Sequence, residues 1–210
     1  MLSVRTGTRP GSPGTRPRRP ILWARVLTEV CAPWVIVIVL SGGVAWAATL
    51  AWLPTLGWGL LIASTSSVLP MCVIVWGARR GSWDGHHVRD RGGRLVPFAA
   101  LIVLSGLGLG LLVLLAAPWE LVALDIAMLA CLLVTGAVTA WWKISMHAAV
   151  AAGAVAILAV THTPVLWSLS PLAGAVCWSR VRLGDHTPAQ VSAGTVAGLV
   201  VGGGVFALLV

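Results

Sequence analysis

Long apolar stretches separated by short polar segments make up most of the chain after residue 30. A helix needs about 20 apolar residues to cross a bilayer, and an open strand cannot cross it because its backbone polar groups would lack partners. We therefore predict an all-α fold, a polytopic bundle of transmembrane helices. The candidate spans are 33–54, 57–78, 97–117, 120–142, 147–163, 164–178 and 190–210. The sixth is short, so the pattern allows six or seven spans.

The first thirty residues do not follow this pattern. They interleave arginine with proline, glycine, serine and threonine, a composition that buries too little apolar surface to offset the loss of chain entropy. We predict a disordered basic arm over 1–30 and a single transmembrane domain over 31–210. The apolar run after the arm is longer than a signal-peptide core and lacks a persuasive cleavage site, so we expect it to be retained as an anchor.

Composition and charge agree with a membrane protein. Hydrophobic residues make up 58% of the chain and charged residues 10%, which leaves too little polar surface for a water-soluble globule. All 14 lysines and arginines fall in the arm or after the second, fourth and sixth spans. The positive-inside rule places that face in the cytoplasm, and we expect an integral protein of the plasma membrane. Membrane lipids are the expected partners, no nucleic acid is expected, and the oligomeric state is left open.

Three polar clusters lie on that same face, each at the edge of an apolar stretch. They cover residues 83–97, 143–147 and 179–190. Arginine and histidine recur in them, and these side chains suit phosphate binding and proton transfer. We predict that the three clusters form one site.

These clusters resemble the signatures of the phosphatidic acid phosphatase type 2 superfamily. Ser179-Arg180, followed after five residues by His186, is similar to the third signature, Ser-Arg-x5-His-x3-Asp. Ser145-Met146-His147 stands where the family has Pro-Ser-Gly-His. The stretch 87–97 resembles Lys-x6-Arg-Pro, with His87 at the lysine and Arg94 at the arginine. Five positions depart from the family pattern: His87, Leu95, Ile144, Met146 and Gln190. Glutamine at the last of these is a feature of the dolichyl-diphosphatase and glucose-6-phosphatase branches.

The resemblance implies a phosphatase-type helical core and a chemistry. It implies an enzyme that removes phosphate from a lipid phosphate or a polyprenyl (di)phosphate, with His186 as the nucleophile that forms a phosphohistidine and His147 as the acid. Residues expected to bind the substrate phosphate are Arg94, Arg180, Ser145, His87 and Lys143, with Gln190 supporting His186. We expect no cofactor and no metal, because no cluster has metal-ligand spacing and the arginines already supply positive charge.

Other functions are compatible with the same composition. A catalytically silent relative would bind anionic lipid or act as a membrane scaffold, and the five departures allow this. A transporter is disfavoured because no inverted repeat is evident. A prenyltransferase is disfavoured because the chain lacks an Asp-rich cluster. We expect Asp125, which lies in the fourth span, to have a structural partner.

Overall fold

A computed structural model of the protein describes residues 22–80 and 95–210, with side chains from Phe98 onward in the second range. Helices and their connections account for these residues, and neither range contains a strand. The prediction of an all-helical fold is therefore confirmed. The helices are α1 (Leu22–Val30), α2 (Pro33–Thr49), α3 (Trp52–Arg79), α4 (Leu95–Leu114), α5 (Trp119–Trp141), α6 (Met146–Thr161), α7 (Ser170–Arg182) and α8 (Pro188–Leu209). A 3₁₀ helix, Pro164–Leu169, precedes α7, and π-helical turns interrupt α3 at Ser64–Val68 and α8 at Gly198–Gly203.

Three of these helices are long and apolar enough to cross a membrane. They are α3, α5 and α8, and the pair α1 and α2, bent by 43° at its junction, makes a fourth span if it is taken as one. Phe98–Leu114 of α4 and the whole of α6 are apolar but shorter. The structure therefore supports an integral membrane protein with three or four clear spans in its described part, and the count of six or seven stays a prediction.

A basic arm over 1–30 was predicted to be disordered, and the structure has a helix, α1, over its last nine residues. Apolar residues recur at helical spacing here, and Ala24 and Thr28 are buried while Trp23 and Val26 face outward. The hydroxyl groups of Thr28 and Ser179 are 2.9 Å apart, which ties α1 to α7. The arginine, proline and glycine residues on which the prediction rests lie mainly before residue 21, whereas α1 is largely apolar. Residues 1–21 lie outside the described part.

Two hydrogen bonds show how the helix ends are arranged. The backbone N–H of Ser145 donates to the carbonyl of Gln190 at 3.3 Å, so α6 and α8 begin side by side. At the opposite end of the bundle, Nε1 of Trp119 donates to the carbonyl of Leu209 at 2.7 Å. The candidate site lies at the first of these ends, and a buried apolar cluster that includes Leu121, Leu124 and Phe206 extends toward the second.

Close contact between α6 and α8 depends on a glycine. A Cβ atom added to Gly194 would lie 2.4 Å from the carbonyl oxygen of Ser145, a distance that side-chain carbons do not tolerate. Small residues allow membrane helices to approach to van der Waals contact of their backbones. Gly194 thereby holds the first turn of α6, which carries His147, against α8.

Candidate active site

A cavity of about 280 Å³ runs along α6 and is lined by residues of seven helices, α2 to α8, and of the segment after α7. His147, Arg180 and His186 all line it. Further along α6 the wall includes Ile157, ten residues from His147, which corresponds to about 15 Å of helix. Most of the remaining wall is apolar, and its polar exceptions are Ser66, Ser67, Ser105 and Thr139. The cavity thus joins a cluster of basic side chains to a long apolar space.

The turn that ends α7 places His186 over Arg180. Gly184 has a φ of +72°, a left-handed conformation that glycine adopts without steric cost. The N–H of Asp185 donates to the carbonyl of Arg180 at 3.1 Å and that of Gly184 donates to Val181 at 3.0 Å, which together form a Schellman motif. The N–H of His186 also donates to the Arg180 carbonyl, at 3.3 Å. The chain therefore folds back after α7, and Arg180 and His186 both line the cavity.

Arg180 is buried in an ion pair. Its Nη2 atom lies 3.1 Å from Oδ2 of Asp185, and the two side chains are only 5% and 12% exposed. Lys143, from the connection between α5 and α6, donates a hydrogen bond from Nζ to the backbone carbonyl of Asp185. Arg180 and Lys143, two of the residues predicted to bind phosphate, therefore both contact Asp185.

Burial and nearby cations set the protonation state of His186. Burial, the largest cause, and the positive charges of Lys143 and Arg180 together lower the pKa of its imidazole to about 4, whereas Asp185 and hydrogen bonding with the Gln190 side chain oppose the shift. The imidazole is therefore neutral at pH 7. A neutral imidazole has the lone pair that a nucleophile requires. Its buried Nδ1 atom has no hydrogen-bond partner among the residues that the structure describes.

His147 and Ser145 occupy different environments at the start of α6. His147 is buried, 7% exposed, and contributes to the cavity wall. Ser145 is fully buried, and its Oγ accepts a hydrogen bond from the N–H of Ala148 at 3.4 Å, so it caps the helix. The cavity-lining residues do not include Ser145, whereas Met146, at the family's glycine position, is one of them.

Gln190 helps to begin α8 through two hydrogen bonds with Thr187. Its Oε1 accepts the N–H of Thr187 at 3.1 Å, and its own N–H donates to Oγ1 of Thr187 at 3.3 Å. This capping box starts α8, with Pro188 at its first position. Sequence reasoning missed it, although Thr-x-x-Gln is its usual pattern. The Gln190 side chain also acts on His186, because hydrogen bonding with it raises the pKa of the imidazole.

Two of the predicted site residues, Arg94 and His87, lie outside the described residues. Within the ranges that the structure does describe, no group of three or more His, Cys, Asp or Glu side chains has a metal-binding arrangement.

Asp125 is fully buried in α5, and its Oδ1 accepts a hydrogen bond from Oγ of Ser66 at 2.9 Å. Ser66 belongs to the π-helical turn of α3 and lines the inner part of the cavity. A structural partner for Asp125 was expected, and Ser66 is that partner.

No family model, curated protein or solved structure matches this chain.

Proposed function

We propose that the protein is an integral-membrane phosphohydrolase that acts on a lipid phosphate or polyprenyl (di)phosphate and is related to the phosphatidic acid phosphatase type 2 superfamily. One observation carries the proposal: His147 from the start of α6, and Arg180 and His186 from the end of α7 and the turn after it, line one cavity. Their order and spacing are those for which the resemblance implies an acid, a phosphate ligand and a nucleophile. The phosphatase-type core and the six or seven spans are part of this proposal.

The proposed reaction has two steps in which His147 first gives and then recovers a proton. In the first, the imidazole of His186 forms a bond to phosphorus while the bond from phosphorus to the lipid oxygen breaks, and His147 donates a proton to that oxygen. In the second, the oxygen of a water molecule forms a bond to phosphorus while the bond from phosphorus to the His186 nitrogen breaks, His147 takes a proton from the water, and inorganic phosphate leaves. Arg180 and Lys143 would stabilise the charge on the equatorial oxygens of the phosphorus in both steps.

The shape of the cavity supports an amphiphilic substrate. Basic side chains lie near its end at the start of α6, and the wall along α6 is largely apolar. A phosphate bound between Arg180 and Lys143 would leave its hydrocarbon chain beside this apolar wall. We therefore favour a lipid phosphate over a water-soluble phosphate ester as the substrate.

We propose that the site faces the cytoplasm and that the protein resides in the plasma membrane. The support is the distribution of positive charge, since the ends of α3 and α7 that carry Arg79, Arg80 and Arg182 belong to the same face as the site.

A silent relative that binds anionic lipid is the second candidate. The ion pair between Arg180 and Asp185 favours it, because a carboxylate already contacts the guanidinium that phosphate would need. Purified protein in detergent, given a panel of lipid phosphates in the presence of a chelator, separates the two candidates. Release of inorganic phosphate supports the enzyme, and binding of the same lipids without release supports the silent relative.

A further inference from the structure

Asp185 contacts two cationic residues of the proposed site through different atoms. Its carboxylate pairs with Nη2 of Arg180 at 3.1 Å, and its backbone carbonyl accepts a hydrogen bond from Lys143. Its backbone N–H donates to the carbonyl of Arg180 at 3.1 Å. One residue therefore joins cations from two segments of the chain beside His186.

The pair between Arg180 and Asp185 is not an ordinary surface ion pair. Exposed pairs contribute little because water screens them and both side chains remain mobile. Here the side chains of Arg180 and Asp185 are only 5% and 12% exposed. Without the carboxylate of Asp185, the positive charge of Arg180 would stay buried with little compensation from water, which is unfavourable. The position of the guanidinium should consequently depend on Asp185.

Position 185 is one of the five variable positions in Ser-Arg-x5-His, so the resemblance assigns it no role. The family's carboxylate position is occupied here by Gln190, which carries no charge. Among the residues that the structure describes, Asp185 is the carboxylate whose negative charge raises the pKa of His186.

We propose that Asp185 is a positioning residue whose carboxylate fixes the guanidinium of Arg180 beside His186. This positioning of Arg180 is independent of whether the protein catalyses a reaction. The consequence for catalysis, that Arg180 meets the substrate phosphate in one orientation, rests on the proposed function.

Positioning and simple charge predict opposite responses when the carboxylate is removed. Arg180 lowers the pKa of His186 more strongly than Asp185 raises it. If Asp185 acts by charge alone, its removal lowers the pKa of His186. If Asp185 holds Arg180 in place, its removal lets the guanidinium move away, and the pKa of His186 rises. The other groups that face the imidazole, Lys143 and Gln190, are unchanged in either case, as is His147 across the cavity.

The test is an NMR titration of histidine-labelled protein in detergent micelles, which needs no substrate. The chain has five histidines, and His186→Gln assigns the signal of interest. Asp185→Ala should raise the pKa of His186 above its starting value of about 4. In an Arg180→Gln background, the same substitution should lower it, because only the anion is then lost. A fall in both backgrounds, or no change in either, overturns the proposal.

Matched variants separate positioning from a loss of folding. Asp185→Glu retains the carboxylate and should keep the pKa of His186 low. Asp185→Asn keeps the size and one acceptor oxygen, and should shift the pKa in the same direction as Asp185→Ala but by less. Glu120→Gln, at the exposed start of α5, removes an acidic group at the other end of the bundle and should shift nothing. The signals of His147 and His162 report whether each variant keeps its fold.

Kinetics add an independent result if the wild-type protein hydrolyses lipid phosphates. Asp185→Ala should then raise KM about tenfold, the effect of one charged hydrogen bond, with a smaller change in kcat, and Asp185→Glu should restore much of the loss. An unchanged KM contradicts the role in phosphate binding. A wild-type protein without any turnover contradicts the proposed function instead, and the titration still decides whether Asp185 positions Arg180.

Discussion

The backbone N–H of Ser145 donates to the backbone carbonyl of Gln190 at 3.3 Å, and this bond joins the segment of His147 to the segment of His186. Side-chain caps reinforce both segments, since the Ser145 hydroxyl caps α6 and the capping box of Thr187 and Gln190 starts α8. The two histidines therefore sit on short, locally fixed pieces of backbone that are bonded to each other. Such support is what a site with two cooperating side chains needs.

Gly194→Ala should disturb this junction. The added methyl group would lie 2.4 Å from the Ser145 carbonyl oxygen, so α6 and α8 must separate at the point where the two segments meet. We expect a cost of about 1–3 kcal/mol in stability and a loss of turnover larger than the loss of folded protein explains. Thermal unfolding in detergent and phosphate release measure the two effects.

The matched control for this substitution is Gly174→Ala in α7. Nothing lies within 4 Å of a Cβ atom at that position, so the variant should keep the stability and turnover of the wild type. Equal behaviour of the two variants would contradict the close contact at Gly194.

Stability should fall between about pH 6.5 and pH 4 because of His186. Its pKa is lowered to about 4 in the folded protein, chiefly by burial, whereas in the unfolded chain it returns to the ordinary value near 6.5. Between pH 6.5 and pH 4, His186 therefore binds a proton in the unfolded state but not in the folded state. Because the unfolded state binds more protons, the equilibrium shifts toward unfolding as the pH falls. Above pH 6.5 both states are neutral and the effect vanishes.

Melting temperatures measured at pH 7.5 and pH 5 in detergent test this. His186→Gln should show a smaller decrease than the wild type, and His162→Gln, at the exposed end of α6, should show the full decrease. An identical decrease in His186→Gln and the wild type would mean that the imidazole is not held neutral.

The face of the membrane on which the site lies can be measured by cysteine labelling. Arg182 ends α7 near the site, and Glu120 starts α5 at the opposite end, and both are exposed. After replacement of the four native cysteines, Arg182→Cys should react with an impermeant thiol reagent only in opened cells, and Glu120→Cys should react in intact cells. The reverse pattern would place the site outside the cytoplasm.

The sequence predicted much of the helical fold because long apolar stretches have few alternatives in a membrane. It missed α1, whose nine residues are too few to stand out beside an arginine-rich stretch. The π-helical turns in α3 and α8 also have no clear sequence signal, because packing against neighbouring helices decides them. The number of spans stays open because α6 is buried among other helices and is shorter than a usual span.

The site was partly predictable for a different reason. The spacing of Arg180 and His186 suggested one site, and Gly184 supplies the turn that brings both into the cavity. The ion pair with Asp185 could not be read from the sequence, because a carboxylate beside a histidine has many possible partners. Ser145 was expected to bind phosphate, and the structure shows its hydroxyl capping α6. Arg94 and His87 stay predictions.

The central claim is that His186 attacks phosphorus, and the most direct measurement is phosphate release by purified His186→Ala in the presence of a chelator. The lipid phosphate that the wild type hydrolyses fastest serves as the substrate, and His162→Ala, which alters an exposed histidine far along α6, is the control. His147→Ala should lose about 10²–10⁴-fold in rate, with less loss on substrates that have good leaving groups. We predict no detectable release by His186→Ala and full release by His162→Ala. Turnover that survives His186→Ala would contradict the phosphohistidine mechanism.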